Sequence, residues 1–413
     1  MSLPIFSAGT ARGGTNLMVK MLSVLPGYTA AMDPLIPLFK QYRNDILSTS
    51  TDAEIREALN PEAPLDDYYY DPVKARAMHE IQNADLSQPY NSAEHAALVE
   101  RMRPRTLLSS ANLAAHLDEL SADTYKGVFD NALRLIDEAA GAGQRQWAGI
   151  HENWGIEFFA PLARSYPEAK FMIMLRDPRA CIASALRVSD PRIIPHVLSF
   201  ARNWRKAAAF TQHYLRDPLF KDRILFIRYE DLVQDPQTHA QTLCQFLDLE
   251  FNPAMLDPRN FKDPSGGRWK GNSHQGAAPD RIYTSSLEAW KKSMSREQIW
   301  TIELACDPEM RHLGYTPWVF NPETPMPAPS YMEFLDRDNK ECLGWRVGTP
   351  DAERDFDLEC LRKDIAANEA EGRTEDCLNR VAPDEQRHEI DGWLTQNFLF
   401  PEALAALKEL NYA

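Results

Sequence analysis

No stretch of about eighteen apolar residues occurs in the 413-residue chain, which argues against a membrane-spanning helix. A basic segment followed by an apolar core is missing from the N-terminus, so a secretory leader is not expected. The six cysteines (Cys181, Cys244, Cys306, Cys342, Cys360 and Cys377) form no CxxC pair, so neither a zinc site nor a disulfide framework is suggested. A reduced, cytoplasmic setting is the expectation. Positive charge is also short: the net charge is −15, which disfavours a nucleic-acid partner. The deficit is uneven, because Tyr331 to Ala413 alone holds 20 acidic and 10 basic residues.

What is present is a βα rhythm. Pro4–Ala8, Phe171–Leu175 and Ile224–Ile227 are short apolar runs, with Trp147–Ile150 a weaker fourth. Each precedes a loop rich in charge, glycine or proline and then a helical pattern, as in a buried parallel sheet. Ligands of such sheets bind beyond the carboxyl ends of the strands, here the loops opening at Gly9, His151, Arg176 and Tyr229. A helical insertion is expected over about 45–143, with helix starts at Thr51–Glu54 and Asn91–Glu94 and a helix over Thr124–Ala140 that stops at Gly141. The aromatic turn Asp66–Pro72 lies within it. A proline-rich linker (Pro317–Tyr331) divides a domain over 1–320 from an acidic, helix-prone extension over 321–413, which ends in an amphipathic stretch around Trp393–Leu410.

The first loop, Gly9-Thr-Ala-Arg-Gly-Gly14, has the GxxxxG spacing of a phosphate loop. Thr15-Asn16 replaces its Lys-Ser/Thr pair. Phosphoryl-transfer loops use that lysine on the β and γ phosphates and that hydroxyl on Mg²⁺, so a kinase or ATPase is disfavoured. Backbone N–H groups, Gly13, Gly14 and the Thr15 hydroxyl remain as anion-binding parts. In LRDPRACIAS, Arg176 ends a strand and Ser184 follows eight residues later, two turns into a helix that begins near Pro178.

Taken in order, GTARGGTNLM, YPEAKFMIMLRDPRACIAS, FIRYEDLVQDP, WKGNS, SSLEAWKKSMSREQI and LGY resemble the sulfotransferases that use 3′-phosphoadenosine 5′-phosphosulfate (PAPS). The resemblance is nearest to the bacterial, carbohydrate and tyrosylprotein branch, and it runs from about Pro4 to Tyr315 without covering the insertion or the extension. It implies an α/β, P-loop-like three-layer fold around a central parallel sheet. It implies PAPS as co-substrate, with 3′-phosphoadenosine 5′-phosphate (PAP) left as product, no metal, and a glycan, lipid-linked sugar, peptide or natural product as acceptor.

By the same resemblance, Arg12, Gly13, Gly14, Thr15 and Asn16 hold the 5′-phosphosulfate, and Arg176 with Ser184 holds the 3′-phosphate. Tyr229 contacts the nucleotide, and Arg268, Lys270 and Ser273 belong to a loop that covers it. Trp290 is expected in the core. Arg12 is the candidate for stabilising leaving-group charge. Two candidates compete as base. Asp33 lies 21 residues after Arg12, as a catalytic glutamate does in the tyrosylprotein branch. His151 follows a strand as the histidine of the phenol and steroid branch does, though His-Glu-Asn stands where other branches show a Lys-Thr-Pro-like motif. Glu152 ranks behind both. Two alternatives stay open: a P-loop-type nucleotide or small-molecule kinase, and a non-catalytic nucleotide-binding scaffold. The extension is a candidate surface for homo-oligomerisation.

Overall fold

The computed structural model describes residues 2–33, 35–61, 72–141, 145–153, 155–187, 197–262, 269, 280–307 and 309–320, and beyond these only 341–342, 345–346 and 359. Most of the aromatic turn, most of the proline-rich linker and the Trp393–Leu410 stretch therefore lie outside the described residues. So do Arg268, Lys270 and Ser273.

Two compact units are built from interleaved segments. The first comprises Met1–Thr51, Glu80–Arg176 and Asp217–Ser286; the second comprises Asp52–His79, Asp177–Arg216 and Leu287–Ala413. The first unit holds a five-stranded sheet: β1 (Leu3–Gly9), β2 (Tyr28–Met32), β3 (Trp147–His151), β4 (Lys170–Leu175) and β5 (Ile224–Arg228). All neighbours are parallel, in the order β2-β3-β1-β4-β5. The four anticipated strands are present. β2 was not anticipated, because YTAAM lacks the bulky apolar run that marks the others.

Alternation along the strands explains why both faces need cover. Ile5, Met172, Met174 and Ile227 join a core with Met18, Val19 and Leu22 of helix Thr15–Leu22 and Leu243 and Leu247 of helix Pro236–Leu247. Phe6 and Phe171 point the other way. Phe6 meets Phe171 and Tyr166 with ring centroids 5.6 Å apart, and Phe171 meets Phe159 of helix Phe159–Ser165 at 5.0 Å. Helices on both faces of a parallel sheet give the expected three layers.

The insertion between β2 and β3 is helical where described. Thr124 caps helix Tyr125–Ala139 by accepting from the Gly127 N–H, and the chain leaves it through Gly141 at φ 95°. Asn91 caps the turn Ser92–Glu94 ahead of helix His95–Ser109. At the earlier start, Asp52 rather than Thr51 caps helix Ala53–Ala58, because its carboxylate accepts from the Glu54 N–H. That helix groups with the second unit, so the insertion is shared between the two units.

In the second unit, Asp177 caps helix Pro178–Leu186 and holds Arg179, whose guanidinium also reaches Glu303 at 2.6 Å. Fully buried Glu303 accepts in addition from the N–H groups of Trp318, Val319 and Phe320, so one carboxylate fastens that segment. Trp290 is buried, with the Arg179 guanidinium 4.2 Å from its ring centre. From the acidic extension, Glu359 is fully enclosed and bonds Arg202 at 2.5 Å and Arg205 at 2.6 Å on helix Val197–Tyr214.

Candidate active site

Because the strands are parallel, Gly9, Met32, His151, Leu175 and Arg228 end on one rim of the first unit. The chain leaves β1 toward β2 on one side and β4 toward β5 on the other. The crevice at that reversal, between β1 and β4, is where such sheets bind ligands.

The β1 loop is wound tightly there. The Gly13 N–H donates to the Thr10 carbonyl at 2.9 Å, and the Leu17 N–H donates to the Gly14 carbonyl at 2.9 Å as the helix begins. Arg12 and Gly14 take left-handed backbone, at φ 63° and 82°. Such turns aim N–H groups at one concavity. Gly14 needs to be glycine twice over, since a Cβ there would also collide with the Tyr229 ring. That ring has the Arg176 guanidinium 4.6 Å from its centre, and Arg176 Nη2 donates to the Ser286 carbonyl at 2.9 Å. Gly14, Tyr229 and Arg176 thus form one continuous wall. Asn16 Oδ1 is buried with no hydrogen-bond partner among the described residues, an orphaned polar atom beside the loop.

A second group gathers beyond β2 and β3. Asp33 is buried and left-handed at φ 48°, with its N–H on the His151 carbonyl at 2.6 Å. One carboxylate oxygen accepts from the Asn153 side chain at 3.1 Å and its backbone N–H at 3.2 Å. The other accepts from Arg105 Nη2 at 2.9 Å. Asn153 also accepts from the Thr15 hydroxyl at 3.0 Å. Glu152 is entirely buried and accepts from the Leu35 N–H at 3.1 Å. Burial first, then the charge of Asp33, holds its carboxyl well above the usual range, against the pull of the Leu35 N–H and Arg105. His151 is fully enclosed, its Nδ1 2.9 Å from the Ser7 hydroxyl. Burial pushes its ring pKa down, while the Asp33 charge and Asn153 oppose that push.

The structure therefore joins Arg12, Gly13, Gly14, Thr15, Asn16, Tyr229 and Arg176 around one crevice, with Asp33 and His151 on the same rim. Ser184 is half-buried on helix Pro178–Leu186 in the second unit. Trp269 donates its N–H to the Phe261 carbonyl at 3.0 Å, while Arg268, Lys270 and Ser273 lie outside the described residues. Arg105 was missed. It is one arginine in the polar run ERMRPR, and no spacing ties it to Asp33.

A parallel sheet whose central strand opens into a left-handed, glycine-bearing loop at a helix N-terminus is the arrangement of a P-loop-like α/β fold. Comparison with known proteins gives the family: the Sulfotransferase family profile matches residues 4–253, more than half of the sequence, and the chain belongs to that family. It is 36% identical to carbohydrate sulfotransferase 7 of Rattus norvegicus over 112 residues, 25% of this chain and 22% of that protein. It is 28% identical to the protein-tyrosine sulfotransferase of Drosophila melanogaster over 164 residues, 38% of this chain and 32% of the other. These matches span only a minor part of either relative. Among solved structures, the sulfotransferase domain of the Synechococcus PCC 7002 olefin synthase aligns with a TM-score of 0.44 at 16% identity, covering 76% of this chain and 95% of that one.

Proposed function

We propose that the chain transfers a sulfuryl group from PAPS to a hydroxyl or amine of a glycan, glycolipid, peptide or natural product. The observation that carries this reading is the Gly14–Tyr229–Arg176 wall. Both the β1 loop and the Arg176 guanidinium lie against one aromatic ring, and each is a part that can hold an anion. A ligand with phosphates at both ends of a nucleoside suits that pair. PAPS has them, in its 5′-phosphosulfate and its 3′-phosphate.

Transfer is in line: the acceptor oxygen forms a bond to sulfur, the bond from sulfur to the 5′-phosphate oxygen breaks, and the acceptor proton passes to a carboxylate. Arg12 and the loop N–H groups offset the charge that grows on the departing phosphate, a role for fixed donors rather than for an acid. Thr15 and Asn16 line the same loop. Arg176 holds the 3′-phosphate, Ser184 assists it, and Arg268, Lys270 and Ser273 supply the covering loop. Asp33, at the tip of β2, takes the proton. Enclosed His151, engaged with Ser7, orients the rim instead. Less charge resides on a sulfuryl than on a γ-phosphoryl group, so no metal is required. Among the described residues no helix is long and apolar enough to cross a membrane. A reduced bacterial cytoplasm is the setting we favour, with the domain over 1–320 catalytic and the extension available for self-association.

The test is transfer of labelled sulfate from PAPS to a panel of acceptors, with and without EDTA. Transfer that survives EDTA supports the reading, and a strict metal requirement favours the kinase alternative. PAP binding without transfer to any acceptor favours a scaffold. Arg12→Ala is expected to lower turnover by about 10²–10³-fold. Arg176→Ala is expected to weaken PAP binding at least about tenfold, the scale of one charge-assisted hydrogen bond. Unchanged PAP affinity in that variant would remove Arg176 from the 3′-phosphate site.

A further inference from the structure

We propose that Asn153 is a positioning residue that ties the Asp33 carboxylate to the donor loop, fixing the distance between proton acceptor and leaving group. This role rests on the sulfotransferase reading above. An ionised carboxylate can only accept hydrogen bonds, so the amide NH₂ of Asn153 must face Asp33 and its oxygen must face Thr15. The Thr15 hydroxyl then donates to Asn153, and the path from Thr15 through Asn153 to Asp33 has one consistent polarity.

Arg105 secures the far oxygen of the same carboxylate at 2.9 Å. Its helix, His95–Ser109, is followed by Ser110, whose hydroxyl accepts from the Met32 N–H at 2.8 Å and donates to the Met32 carbonyl at 3.3 Å. Asp33 is thus gripped by the acceptor-side insertion on one oxygen and, on the other, by Asn153, which in turn accepts from Thr15 of the donor loop. A carboxylate held on one oxygen can swing about its last torsion; one held on both cannot. The left-handed backbone of Asp33 fits this picture, since strain of that kind persists only where surrounding bonds over-determine the residue.

The experiment compares wild type, Asn153→Ala, Asp33→Asn and the double variant in PAPS-dependent transfer, with PAP affinity measured by calorimetry. Asn153→Ala is expected to lower kcat roughly 10–100-fold, the scale of a small misplacement of a reacting group. Its PAP affinity should stay within about twofold, because no nucleotide contact is removed. If Asn153 acts through Asp33, the double variant is no slower than Asp33→Asn alone. Losses that multiply in the double variant overturn the role, as does a PAP affinity that falls in step with kcat. Should Asn153→Ala not fold, Asn153→Gln keeps the amide, shifts it by one methylene and carries the same comparison. A wild-type chain that transfers no sulfate overturns the function reading and this role together, whereas an active wild type with multiplicative losses overturns this role alone.

Discussion

Two left-handed residues that are not glycine, Arg12 and Asp33, stand at the two ends of the proposed reaction. Left-handed backbone costs an L-residue roughly 1–2 kcal/mol, so each is retained against its own conformational preference. Arg12→Gly should therefore leave the thermal midpoint no lower than that of wild type while lowering turnover by about 10²–10³-fold; a variant that kept its turnover would end the charge-stabilising role. Glu152 and His151 set opposite pH dependences. The Glu152 carboxyl lies well above 4.5 in the folded chain, so its contribution is complete below pH 4.5 and is lost as pH rises toward its folded value. The His151 ring lies below 6.5, so its contribution is present above pH 6.5 and is lost as pH falls toward its folded value. In Glu152→Gln the alkaline-side loss should vanish. Urea midpoints measured across pH for both proteins check this, and parallel curves would contradict a protonated Glu152.

Among elements, β1 with its loop and the segment after β4 carry most of the candidate site. Gly14→Ala should disturb the loop and the Tyr229 ring together. A stability loss of about 2–4 kcal/mol is expected from left-handed strain plus overpacking, with PAP binding lost as well. Denaturation with and without PAP separates the two effects. Glu303→Ala should cost about 3–5 kcal/mol in urea unfolding, since it leaves Arg179 and three N–H groups short of their buried acceptor. Much of this was legible in the sequence. β1, β3, β4 and β5 announce themselves as apolar runs, and Gly14, Arg176 and Tyr229 as motif residues. β2 did not, because Ala30 and Ala31 carry little hydrophobic signal and its pairing with β3 alone makes it a strand. Arg105 stayed hidden because its partner is 72 residues away and only the fold brings them together. Asn153 showed merely as a departure from a motif until its two bonds were placed.

On the scale of the whole molecule, the extension is fastened to the rest of its unit through Glu359. Both oxygens of a fully buried carboxylate serve arginines of helix Val197–Tyr214. Ending the chain at residue 320 should therefore lower its stability, and Glu359→Ala alone should cost about 3–5 kcal/mol, because two buried cations lose their counter-charge. Thermal and urea unfolding of the full chain, Glu359→Ala and 1–320 measure this. Equal stability of all three would show that the pairing contributes nothing.

That fastening also imposes an order on biosynthesis. Arg202 and Arg205 leave the ribosome some 150 residues before Glu359. At about 5–20 residues per second the delay is roughly eight to thirty seconds. The first unit is drawn entirely from residues up to Ser286, so all of it has been synthesised while the second still lacks a counter-charge. A nascent chain stalled before residue 359 would be expected to carry helix Val197–Tyr214 with its arginines still hydrated, a state that chaperones and proteases can recognise.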